Sequence, residues 1–249
     1  MGVKTNLNQV FQSEKLREAR EARGLTIREL SAEIGLGSHQ VLSKYENGKS
    51  VPPAEILMKV MKKLELPYNY FFENNSFTTE NDIVYFRSKA NTTTKLKKIH
   101  EIKISWLLKI FYYLESILDF PPSDIPEVCL NHNKFFKPTD FKEIEIIASN
   151  LRKHWNLNNG PIDNITHLFE KHGIVVSITH SNDSSIDACS KWFGDKLFIL
   201  VGSERSVPSR IKFTLAHELG HYLLHKNVKK EEFNSKDVYK RMETEANHF

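Results

Sequence analysis

Apolar residues in the first seventy positions recur at three- and four-residue steps, in short runs that begin at a capping residue and end at a glycine. Ser13 can cap KLREAREARG, which Gly24 ends. Thr26 and Glu29 have capping-box spacing, and Ile27, Leu30 and Ile34 follow at helical steps as far as Gly35. Ser38 can cap a third helix, SHQVLSKYE, with Val41, Leu42 and Tyr45 inward, and Asn47-Gly48 closes it. Pro52-Pro53 opens a fourth, AEILMKVMKKLEL, with Leu57, Val60, Met61 and Leu64 apolar. Two short helices joined by a glycine-containing turn predict an all-α helix-turn-helix bundle over residues 1–73.

The pattern then changes. Residues 73–98 are rich in Asn, Thr, Ser and finally Lys, with one extended apolar piece, IVYF, and read as linker. Ile99, Ile102, Trp106, Ile110, Tyr113 and Ile117 form the stripe of a long amphipathic helix ended by Pro121-Pro122, as core or dimer surface. The linker with this helix spans 74–138. In 139–249, a helix starts near Thr139 with Ile144, Ile147, Leu151 and Trp155 inward, and a second is capped near Asp163. IVVSITH is a strand, and SSIDACSKWFGDKLFILVGS is a hairpin about Gly194-Asp195. Mixed helices and strands behind a helical front make the chain α+β and mostly helical.

Ser206, Pro208 and Ser209 lead into FTLAHELGHYLLH, residues 213–225, a helix apolar nearly all round, with Phe213, Ala216, Gly220 and Leu223 on one face. His217 and His221 stand four apart and share a face. Buried imidazoles need partners, and neutral imidazoles aimed at one point are what zinc takes as ligands. Glu218 lies beside them as a general base, the HExxH arrangement. A charged Glu inside an apolar helix is costly without such a task. His225 reads as a structural or surface residue.

Composition narrows the class. At 40% hydrophobic and 27% charged residues over 249, the chain is globular and long enough for two domains. No apolar run reaches membrane-spanning length, and MGVKTNLNQVF does not resemble a secretory signal or a myristoylation site, so the expectation is a soluble cytoplasmic protein with no membrane partner. Cys129 and Cys189, far apart, read as reduced thiols. Residues 1–110 carry 18 basic against 12 acidic side chains while the whole chain nets +4, so the front half is the basic one, as a nucleic-acid partner requires.

GLTIRELSAEIGLGSHQVLSKYENGKSVP resembles the lambda-repressor and Cro type of helix-turn-helix, the XRE family. That resemblance implies double-stranded DNA as partner, with the third helix in the major groove. Ser38, His39, Gln40, Ser43 and Lys44 then point to DNA, Gln40 can read adenine, and Arg28, Asn47 and Lys49 are phosphate contacts. A homodimer is expected, since one module binds weakly. RIKFTLAHELGHYLLH and the terminal RMETEANHF resemble the ImmA/IrrE metallopeptidases over roughly residues 140–249. This implies a zincin-like domain and one Zn2+ per chain, with Mn2+ or Fe2+ as alternatives. The ligands implied are His217, His221 and Glu245, with Glu243 as the alternative third. In that family the EAN helix runs on for several turns, whereas this chain stops at Phe249, so a truncated domain with a ligand helix of about one turn is expected. KLFILVG is expected to hold substrate as an added strand, with Ser190 and Trp192 at the cleft. The implied activity is zinc-dependent cleavage of a helix-turn-helix repressor, derepressing stress or mobile-element genes. The alternative is an XRE-type regulator or antitoxin-like repressor whose peptidase-like domain is a sensor or inactive.

Overall fold

The computed structural model describes residues 10–73, 84–88, 93–157, 159–179, 186–202 and 207–249. The Asn/Thr-rich stretch read as linker before Val84, and Ser206, lie outside these residues. The chain forms two compact units, one of residues 1–79 and 93–103, the other of 80–92 and 104–249.

In the first unit, α1 (Ser13–Ala22), α2 (Ile27–Glu33), α3 (His39–Glu46) and α4 (Ala54–Leu64) follow one another as the periodicity predicts. Thr26 and Glu29 make the reciprocal capping box, and Ser38 Oγ accepts from Gln40 N. Ser13 is the first helical residue rather than the cap, which is Gln12. Leu16, Ala19, Leu30, Leu42, Leu57, Val60 and Leu64 form the core with Phe71. One buried ion pair ties α1 to α3: Arg20 Nε lies 2.6 Å from Glu46 Oε1 and Nη2 lies 2.9 Å from Oε2.

The second unit is built on a four-stranded sheet in the order β1-β3-β4-β2, with β1 (Val84–Ser88), β2 (Val175–Thr179), β3 (Ile186–Phe193) and β4 (Lys196–Gly202). The β3–β4 hairpin turns at Gly194-Asp195, as expected, while β2 runs parallel to β4. The piece read as an extended part of the linker is β1, antiparallel to β3. β4 is paired on both sides, so it has no open edge for an added substrate strand, contrary to the expectation.

Strand alternation divides the sheet between two helix layers. Leu197, Ile199, Val201 and Ala188 pack with Leu215, Leu219, Tyr222 and Leu223 of α8 (Pro208–His225). Phe198, Leu200 and Cys189 pack with Ile104, Leu108 and Phe111 of α5 (Thr94–Glu115), a helix whose first part belongs to the other unit. The predicted stripe divides: Ile102 is buried, whereas Ile110, Tyr113 and Ile117 are exposed and are not core. Both stripes have helical spacing, and Phe111, edge-on to Phe198, lies on the buried one. Cys129 and Cys189 are buried in different clusters, and no disulfide joins them.

α6 (Phe141–His154) is capped by Asp140, and α7 (Ile165–Lys171) by Asn164, each within two residues of its predicted start. The last helix, α9 (Lys236–His248), has 13 residues rather than the single turn expected, because it begins well before the EAN segment. Met242 and Ala246 are buried with Glu245 between them, so packing holds the helix in place. Among the described residues no helix is long and apolar enough to cross a membrane.

Candidate metal centre and nucleic-acid interface

α8 is buried from Thr214 onward except at Ala216, and Phe213, expected inward, is exposed. The helix therefore carries His217, Glu218, His221 and His225 into the interior, each 3% exposed or less. Four polar side chains along one buried helix are unfavourable unless each is partnered.

Gly220 lets α9 supply the partners of the three histidines. A methyl group on it would lie 3.2 Å from Ala246 O and from Phe249 Cβ, which is tight contact. An alanine there would gain up to about 1 kcal/mol of helix propensity, so the glycine has a packing reason. Gly220→Val is expected to cost about 1–3 kcal/mol by overpacking and to lower metal uptake by moving α9. Thermal unfolding and metal analysis on one preparation check both.

With α9 so close, His217 Nε2 and His221 Nε2 lie 3.1 Å apart. The Glu243 carboxylate lies 3.5 Å from the first and 3.2 Å from the second. These three residues form the one group of three or more His, Cys, Asp and Glu among the described residues that could hold a metal ion. A tetrahedral ion with ligands about 2.0–2.1 Å away separates them by about 3.4 Å, so the donor set fits zinc in type and spacing. Burial works to raise the Glu243 carboxyl, but hydrogen bonds and charge from His217 and His221 outweigh it and hold the group well below its ordinary range. It is an anion on the cluster.

The expected third ligand, Glu245, lies elsewhere. Its Oε1 accepts from Thr139 N at 2.9 Å and Arg241 Nε at 2.8 Å, and its Oε2 lies 3.1 Å from His225 Nε2. Residues two apart on a helix point about 200° from each other, so one faces the cluster and the other the α9 anchor. Glu243, the alternative, is the residue at the cluster. His225, read as structural or surface, is buried rather than at the surface. Burial lowers its pKa to about 4, against the hydrogen bond and charge of Glu245.

Glu218 is fully buried and accepts a hydrogen bond from Ser190 Oγ. Ser190 shares the α8-facing side of β3 with Ala188, and Trp192 two residues on meets Tyr222 of α8 edge-on. Sequence reasoning placed Ser190 near the cleft but missed this bond to Glu218. It also missed Tyr239, one turn before Glu243. Burial raises the Tyr239 phenol, and Glu243, to which it is hydrogen-bonded, and the charge of Glu218 raise it further. Tyr239 therefore stays a protonated donor beside both carboxylates.

In the first unit, Arg28, His39, Gln40, Lys44, Asn47 and Lys49 are exposed, and Ser38 and Ser43 are half-buried. Asn47 has intramolecular duties: Nδ2 donates to Ser43 O at 2.8 Å, and Oδ1 accepts from Arg17 Nη2 at 2.7 Å. Arg17, on α1, is an exposed cation at the end of α3 that the sequence reading did not single out.

The His–His–Glu cluster and the buried glutamate beside it lie in the part of the chain that matches a peptidase-family model. Residues 169–249 match the IrrE N-terminal-like domain of the M78 peptidase family, and residues 13–77 match a helix-turn-helix domain family. Together the two matches reproduce the fusion implied by the sequence, an XRE-type helix-turn-helix ahead of an ImmA/IrrE-like domain. No curated protein matches the chain.

Proposed function

We propose that this protein is a DNA-binding regulator whose second unit is a zinc-dependent endopeptidase acting on a helix-turn-helix repressor. The observation that carries the reading is the convergence of His217, His221 and Glu243 beside a buried Glu218 that Ser190 holds. These three residues would hold the ion, with manganese or iron as alternatives to zinc. The chemistry such an ion supplies when bound is Lewis acidity, which polarises a carbonyl and brings the pKa of a water towards neutrality. Glu218 takes a proton from the attacking water as the peptide carbonyl is attacked, then passes it to the departing amide nitrogen. Ser190, by donating to one Glu218 oxygen, keeps the carboxylate in a single orientation for both transfers. Tyr239 donates to Glu243 and is a candidate donor to the developing charge.

The choice of a repressor as substrate rests on the family resemblance and on the DNA-binding unit, which would bring the peptidase to proteins seated on DNA. The test of the whole reading is elemental analysis of the purified chain, followed by cleavage assays on helix-turn-helix repressors. About one zinc per chain and metal-dependent cleavage are expected. A chain that takes up no metal would sink the peptidase reading and leave a regulator with an inert second unit.

The DNA-binding half makes its own prediction. On a duplex selected from random sequence, Lys44→Ala and Lys49→Ala should each weaken binding to all sequences alike and reduce the salt slope by about 1. Gln40→Ala should instead relax preference at one base pair by about 1–3 kcal/mol. Anisotropy titrations over a range of salt separate the two behaviours, and a Gln40 variant with unchanged sequence preference would remove that residue from base reading.

A further inference from the structure

His225 lies one helical turn beyond His221 and is almost fully buried, where a leucine would pack without a desolvation cost. Its Nδ1 lies 3.1 Å from His221 Nδ1, and its Nε2 lies 3.1 Å from Glu245 Oε2. The other Glu245 oxygen is taken by two fixed donors, Thr139 N–H and Arg241 Nε–H.

Two orders of the hydrogens along this row are possible. One, with His221 Nε2–H donating to Glu243, sets His225 Nε2 and Glu245 Oε2 as two acceptors 3.1 Å apart. The other starts from Glu245 and leaves the facing acceptors, His221 Nε2 and Glu243, at the ion site, where a cation completes them. An ionised carboxylate only accepts, so His225 Nε2 carries a hydrogen. In the neutral ring, His225 Nδ1 is then bare and accepts, so His221 Nδ1 carries a hydrogen. That leaves His221 Nε2 bare, and this is the nitrogen that faces His217 Nε2 and Glu243. We propose that Glu245 and His225 form a relay that fixes the tautomer and ring orientation of His221, which makes both of them positioning residues for the metal centre. The proposal rests on the metal-site reading above and adds a role for the acidic residue that is not a ligand.

Glu245→Gln is the informative change because it keeps the shape. Thr139 N–H and Arg241 Nε–H both donate to the same atom, so they hold the amide oxygen there. The amide nitrogen must face His225 Nε2 and donate to it. The order then reverses: His225 Nδ1–H donates to His221 Nδ1, and the hydrogen of His221 is forced onto Nε2. A change that alters no volume would place a hydrogen on the nitrogen that has to bind the ion.

The experiment uses the full chain. Histidine tautomers are assigned by long-range proton–nitrogen NMR without metal, at a pH where the rings are neutral, and Co2+ affinity is measured by chelator competition. In the wild type, Nδ1–H at His221 and Nε2–H at His225 are expected; in Glu245→Gln both are reversed. Co2+ affinity should fall by about 10–100-fold, the usual cost of losing an outer-shell partner. His225→Phe should lose a similar factor. His225→Gln, whose amide can accept from His221 and donate to Glu245, should recover most of it. Wild-type His221 found as the Nε2–H tautomer, or affinities unchanged in both Glu245→Gln and His225→Phe, would overturn the relay. If Glu245→Gln does not fold, the wild-type tautomers and the His225 pair decide. If the wild type takes up no Co2+, the metal reading fails, and the tautomers alone decide whether the relay exists.

Discussion

Glu218→Gln is expected to keep its metal and lose hydrolysis, with cleavage slowed by about 10²–10⁴-fold, the usual contribution of a positioned general base. The substitution is nearly isosteric, and the Gln oxygen can still accept from Ser190 Oγ, so packing between α8 and β3 should hold. What disappears is the capacity to take a proton. Glu218 is absent from the ligand group, so zinc per chain should match the wild type. Elemental analysis and a cleavage time course on one preparation test this. Loss of metal in the variant would show that Glu218 acts through the site's integrity. Equal regulation by variant and wild type in cells would favour a sensor without hydrolysis.

The second large effect concerns stability. Removing Glu46 leaves the Arg20 guanidinium buried with the Leu25 carbonyl, 2.7 Å away, and only the looser, partly exposed Glu21 carboxylate, 3.6 Å away, as counter-charge. Breaking a buried pair from one side costs about 3–5 kcal/mol, against about 5–15 kcal/mol for a whole domain. Glu46→Ala should therefore destabilise the helical unit and weaken DNA binding while sparing the other unit. The two can be followed separately. Trp106, Trp155 and Trp192 all lie in the second unit, whereas far-UV circular dichroism sees both. The far-UV transition should gain an early component while the tryptophan transition stays put. A single unchanged far-UV transition would mean that the pair contributes little.

The parts legible in the sequence were those set by neighbouring residues. The Thr26–Glu29 capping box, the Ser38 cap, the Gly194-Asp195 turn and the spacing of His217 and His221 are all local, and the structure has each of them. What was not legible depends on residues far apart. The Arg20–Glu46 pair joins positions 26 apart, and Ser190 meets Glu218 across 28. The choice between Glu243 and Glu245 depends on the rotation of α9, which its contact with Gly220 and the Thr139 anchor decide. α5 offered two stripes of equal periodicity, and only its neighbours select one.

β1 carries a consequence for modularity. It precedes α5, whereas the strand it pairs with follows α5 by a long stretch, Val84 standing opposite Lys191 and Tyr85 opposite Ser190. A fragment begun at residue 139 would keep the HExxH helix, both carboxylates of α9 and Ser190. It would also strip β3 of its outer neighbour, leaving a row of unmatched backbone groups as a template for another chain. Recombination or engineering that moves the metal centre between proteins must therefore cut before Val84, and any such transplant takes α5 along with it.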